Sequence, residues 1–142
     1  MKSLICIILT ILPQSGGGAG AAAEKLLYTY TVQPAGKDRG KLIFSFKANP
    51  QYDFNKKPPV TIEVESTPGV QWDQTKQIPK DGKLVPGSQY YGRMEPVEFH
   101  YVLASSRPVE VKAKVTYFYC SKKDGFCARE IKNVTIPLGP SS

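Results

Sequence analysis

Apolar and polar residues alternate with a period of two along most of the chain, and a 3.6-residue period is hard to find. Leu26, Tyr28, Tyr30 and Val32 alternate with Leu27, Thr29, Thr31 and Gln33. Leu42, Phe44 and Phe46 oppose Ile43, Ser45 and Lys47, and Val60, Ile62 and Val64 oppose Thr61, Glu63 and Glu65. Further along, Val97, Phe99, Tyr101 and Leu103 form one row, and Val111, Ala113, Val115, Tyr117 and Tyr119 form another. Val134, Ile136 and Leu138 end the series. Each row predicts a strand with one buried face, because successive side chains of a strand point to opposite sides.

Turn chemistry separates the rows: Pro34-Ala35-Gly36, Asn49-Pro50, Pro58-Pro59, Pro68-Gly69, Asp81-Gly82, Pro86-Gly87 and Asp124-Gly125. With 12 Pro and 12 Gly, no window is left for a long helix. About six or seven short strands with turns at this spacing predict an all-β, immunoglobulin-like antiparallel sandwich. Gln71 to Tyr91 lacks a clear row and is expected to run as a long excursion over the surface.

The first residues follow a different pattern. Met1-Lys2, an apolar run from Leu4 to Leu12 and a small-residue stretch ending in Ala21-Ala22-Ala23 have the order of a secretory signal peptide. The run is too short for the ~20 residues a membrane span needs. Residues 1–23 are therefore expected to be removed, Cys6 with them, leaving one domain over residues 24–142. That domain should be soluble and periplasmic or otherwise exported, with no stable membrane insertion.

Charge changes little. Loss of Lys2 leaves 18 basic against 12 acidic residues, a formal charge of +6, and the cations are scattered. Scatter of this kind argues against a nucleic-acid partner. The single histidine, His100, rules out a hydrolytic triad or a three-histidine zinc site within one chain. No cofactor or metal is expected, and the chain is read as a monomer.

The remaining chemistry is a cysteine pair. Cys120 closes one apolar row, Cys127 follows the Asp124-Gly125 turn, and an exported chain with two cysteines most simply forms one disulfide. Chain reversal would bring them together, yet closing so short a loop contributes only ~2 kcal/mol on the loop-entropy model. Lys122, Lys123 and Arg129 are near in sequence and would stabilise a thiolate, partly offset by Asp124. On these residues alone, a working disulfide and an inert one pinning a hairpin end stand level.

The stretch Val115-Thr116-Tyr117-Phe118-Tyr119-Cys120, Asp124-Gly125-Phe126-Cys127 and Val134-Thr135-Ile136-Pro137-Leu138 resembles the end of the periplasmic N-terminal domain of the thiol:disulfide interchange protein DsbD. Tyr52-Asp53-Phe54-Asn55-Lys56 resembles that family's aromatic segment beside the disulfide, and Tyr90-Tyr91-Gly92-Arg93 resembles its cap loop. The resemblance implies an immunoglobulin-like domain that shuttles electrons between thioredoxin-fold donor and acceptor proteins, a protein-disulfide reductase activity. It implies that Cys120 and Cys127 are the redox pair, that Tyr52, Phe54 and Tyr90 shield them, and that a partner attaches at Cys127 while Cys120 resolves.

The chain also departs from that pattern. Its loop between cysteines is one residue longer, Ser88-Gln89 replace acidic residues before the cap aromatic, and Phe54 lacks a hydroxyl. The family's membrane electron carrier and terminal thioredoxin domain are expected to be missing here, with electrons coming from a separate protein. The competing expectation is a non-enzymatic immunoglobulin-like binding or adaptor module with a structural disulfide.

Overall fold

A computed structural model describes residues 25–105 and 107–139. The expected leader lies outside these residues. The described residues form nine strands: β1 (Leu26–Pro34), β2 (Arg39–Ala48), β3 (Tyr52–Phe54), β4 (Thr61–Val64), β5 (Val70–Trp72), β6 (Lys76–Gln77), β7 (Val97–Leu103), β8 (Val109–Ser121) and β9 (Cys127–Leu138). All pairings are antiparallel. One sheet has the order β1-β2-β7-β5; the other carries β3, β4 and β6 on one side of β8 and β9 on the other. The architecture is the immunoglobulin-like sandwich that the alternation predicts. Among the described residues no helix is long and apolar enough to cross a membrane.

The inner faces supply the core. Leu42 and Phe44 of β2 and Phe99 of β7 are fully buried, as are Ile62 of β4, Val111, Val115 and Tyr117 of β8, and Ile136 and Leu138 of β9. Rings interlock edge to face within each layer, which suits their opposed edge and face charges. Phe44 meets Phe99 at 6.2 Å and Trp72 meets Phe99 at 6.2 Å, while in the other layer Phe54 meets Tyr117 at 5.7 Å. β7 alternates buried and exposed without a break, which is why its row is so clear in the sequence.

The segment Gln71 to Tyr91 is more ordered than expected. It holds part of β5, which pairs with β7, and β6, which pairs with β4. Both strands are too short to show a period, and their partners lie far away in the chain. Beyond them the loop is organised by Asp81. Its Oδ1 accepts from the backbone N–H groups of Lys83 (3.1 Å), Gly92 (3.1 Å) and Arg93 (3.0 Å), and its Oδ2 lies 3.3 Å from Lys56 Nζ.

A disulfide on the outer face of the β8–β9 hairpin

β8 and β9 form one long hairpin of twelve register pairs, and Cys120↔Cys127 is the last of them. The turn beyond is built by Ser121 as much as by Asp-Gly. Ser121 N donates to Phe126 O at 2.8 Å, Gly125 N donates to Ser121 O at 3.0 Å, and Asp124 N donates to Ser121 Oγ at 3.1 Å. Gly125 has φ 69°, a left-handed conformation that a Cβ would strain. Because Ser121↔Phe126 carries the ladder bond, Cys120↔Cys127 is a non-hydrogen-bonded pair, the closer of the two kinds. Their Cα atoms are 4.0 Å apart and the sulfurs are bonded.

Parity decides what surrounds the bond. Tyr117, Tyr119 and Ser121 point inward and are buried, so Cys120 and its partner Cys127 stand on the opposite, outer face. Cys120 is half-buried and Cys127 is exposed. The bond joins two neighbours in one sheet, unlike a bridge that ties two sheets together across an immunoglobulin core.

The same parity corrects one sequence expectation. β3 pairs Tyr52 with Ser121, Asp53 with Cys120 and Phe54 with Tyr119. Tyr52 and Phe54 therefore face inward, away from the disulfide. Phe54 is 2% exposed in the core, and the Tyr52 ring lies 5.6 Å from that of Tyr119. The aromatic segment does lie next to the cysteine strand, but in the phase that sends its rings to the core. The residues it turns to the sulfur side are Asp53 and Asn55, which the sequence reading missed. Asp53 is opposite Cys120, and Asn55 Oδ1 lies 3.7 Å from Cys120 Sγ. The oxidised sulfur has no hydrogen, so this is a contact and not a hydrogen bond. The signal that could have found them is the inward row Tyr117-Tyr119, because an antiparallel partner must match it residue for residue.

Tyr90 is brought to this edge. An isolated bridge pairs it with Asn55, Tyr91 N donates to Phe54 O at 2.8 Å, and Lys56 N donates to Gln89 O at 2.9 Å. The segment from Gln89 to Tyr91 is thus fastened along the side of β3 that faces away from β8. Ser88 and Gln89 hold the loop: Tyr90 N donates to Ser88 Oγ at 3.2 Å, and Gln89 Nε2 donates to the Tyr90 hydroxyl at 3.1 Å.

The three cations divide. Lys122 Nζ is 3.6 Å from Asp53 Oδ1, so its charge is shared with the carboxylate next to Cys120. Lys123 is exposed in the turn. Arg129 lies opposite Phe118, two residues along β9 from Cys127 and on the same outer face. At the anchor of the loop that carries Tyr90, burial pushes the Asp81 carboxyl up, but the backbone N–H groups of Arg93, Lys83 and Gly92 and the Lys56 ammonium outweigh it and hold the pKa at about 2.

No family model matches the chain, and no curated protein matches it. Solved structures do. The GAE domain of yeast GGA1 is 16% identical, with 83% of this chain and 96% of that one covered and a TM-score of 0.52. The GAE domain of GGA2p from Saccharomyces cerevisiae is 10% identical over 83% and 95%, with a TM-score of 0.50. The reduced DsbD N-terminal domain of Neisseria meningitidis is 8% identical over 81% and 86%, with a TM-score of 0.36. At these identities the likeness is one of fold, and the DsbD match is the weakest in shape of the three.

Proposed function

We propose that this chain is an exported, periplasmic thiol–disulfide exchange domain that relays reducing equivalents between thioredoxin-fold proteins through Cys120 and Cys127. The observation that carries this reading is the position of the bond. It sits on the outer face at the turn end of a hairpin whose register is already held by eleven other pairs, with Cys127 exposed. A bond there adds little to the fold and is open to an incoming thiol. The fastening of Tyr90 beside Asn55, whose side chain meets Cys120, and the residues that the sequence shares with the DsbD pattern, support the same reading. Arg129 and Lys123 would favour the thiolate form, while Lys122 offsets Asp53.

The chemistry is a double exchange. A partner thiolate attacks one sulfur, a mixed disulfide forms and the other cysteine leaves as thiolate. The partner's second thiol then breaks the mixed disulfide. The partner ends oxidised, and the pair ends reduced by two electrons and two protons. Reversal with a second partner passes the electrons on.

Replacing Cys120 with Ser should trap a mixed disulfide between Cys127 and a thioredoxin-fold protein, and the intact pair should equilibrate with such proteins. A reduction potential well below about −300 mV with no exchange would sink the proposal and leave a structural disulfide in a binding module.

A further inference from the structure

We propose that the side-chain amide of Asn55 receives the Cys120 thiolate when the disulfide opens. The inference rests on the exchange reading, with the partner attaching at Cys127, and adds a residue to it.

Position comes first. The Asn55 side chain meets a sulfur of the pair, with Oδ1 3.7 Å from Cys120 Sγ. Its backbone is held from both sides: Asn55 N donates to Phe118 O at 2.9 Å, and an isolated bridge ties it to Tyr90. The amide therefore stays beside Cys120 while the disulfide opens. A half-turn about its terminal torsion exchanges Oδ1 for Nδ2, which turns an acceptor into a donor at the same place.

Charge gives the amide its task. The ionisable groups that the register and ion pairs place around Cys120 on this face are Asp53 from β3, its partner Lys122 from the turn and Arg129 from β9. Asp53 lies opposite Cys120 in the register and opposes a second negative charge there. Lys122 is already engaged with it at 3.6 Å. A neutral N–H donor is what the developing sulfur anion needs, and hydrogen bonds to a charged group are the stronger kind.

The step balances without other reagents. The partner thiolate attacks exposed Cys127 Sγ, a partner–Cys127 disulfide forms, and the Cys120–Cys127 bond breaks with its electron pair on Cys120 Sγ. No proton moves in that step, and Asn55 Nδ2–H donates to the new thiolate. A better-stabilised leaving thiolate speeds the exchange.

The test uses the full chain with Cys127→Ser, so that Cys120 is a free thiol, and follows its labelling by iodoacetamide against pH by peptide mass spectrometry. Asn55→Ala should slow Cys120 labelling at neutral pH about tenfold and move its pH profile upward, the scale of one charged hydrogen bond. Asn55→Asp, which keeps the shape but repels a thiolate, should slow it further. Labelling of Cys127 in the Cys120→Ser chain should not change. Loss of mere cover would speed labelling instead, and far-ultraviolet circular dichroism checks that each variant is folded. Cys120 labelling that is unchanged or faster, or both cysteines slowed alike, overturns the proposal. Labelling needs no protein partner, so a chain that responds as expected but never exchanges with thioredoxin-fold proteins refutes the proposed function and not the role of Asn55.

Discussion

The two faces of β8 carry different kinds of information. On the inner face Val111, Ala113, Val115, Tyr117 and Tyr119 are buried in an unbroken alternation. On the outer face, at the turn end, Phe118 and Cys120 meet neighbours from β3 and β9. The inner face holds the fold, and the proposed exchange would change covalent state on the outer face alone. A redox bond is compatible with a rigid core when the two occupy opposite parities of one strand.

Removing matched groups from the two faces tests that division. Tyr117→Ala empties a fully buried site and leaves Glu130 without the phenol that donates to it at 2.7 Å. It should cost about 3–5 kcal/mol in denaturant unfolding, as large aromatic-to-alanine changes in cores do. The paired Cys120→Ser and Cys127→Ser change on the outer face should cost no more than about 2 kcal/mol and keep the near-ultraviolet spectrum of a packed core. A double serine variant that loses its core spectrum would make the bond structural.

Next in size is the anchor of the loop that carries Tyr90. Asp81 has a folded pKa of about 2 against an ordinary 3.8, and its side chain is 4% exposed. A lowered pKa adds stability that is present above the unfolded value and lost as pH falls toward the folded one. The expected contribution is about 2 kcal/mol. Asp81→Asn should remove it, flattening the acid dependence of unfolding between the two values. It should also free the Gly92 and Arg93 amides to exchange hydrogen faster. An unchanged acid slope would mean that the loop is held by other bonds.

The smallest effect belongs to Tyr90. It is half-buried in a surface loop, so Tyr90→Ala should change stability by about 0.5 kcal/mol. Reduction of the disulfide by a small dithiol should become faster, measured by the appearance of free thiols. A rate that does not move would remove Tyr90 from the shield.

The sequence made the inner face readable because burial repeats along a single strand, as in β7 and β8. The outer face depends on register between strands distant in the chain. Tyr52 and Phe54 show the difference. The resemblance located their segment, but the pairing of Phe54 with Tyr119 fixed their phase, and a shift of one residue exchanges the faces. Asp53 and Asn55 thus reach the sulfur side through a long-range fact. Asp81 was visible only as turn punctuation, because its three backbone donors are brought together by the folded loop. The hairpin turn was located by Asp124-Gly125, while the contribution of Ser121 depends on its burial.

One side of β8 is served by two strands in succession, and this separates the two ends of the molecule. From Phe54 to Thr61 the chain advances seven residues while its partners, Tyr119 to Thr116, span three, so four residues leave the ladder between β3 and β4. That excursion contains Lys56-Lys57-Pro58-Pro59 and is where the backbone turns aside to meet Gln89. It acts as an expansion joint. A residue gained or lost there is absorbed by the excursion, leaving β4 and the core in phase. The same change within β4 would reverse the side chains beyond it. The cysteine end can therefore be lengthened, re-aimed or exchanged while the far end of the sandwich keeps its register.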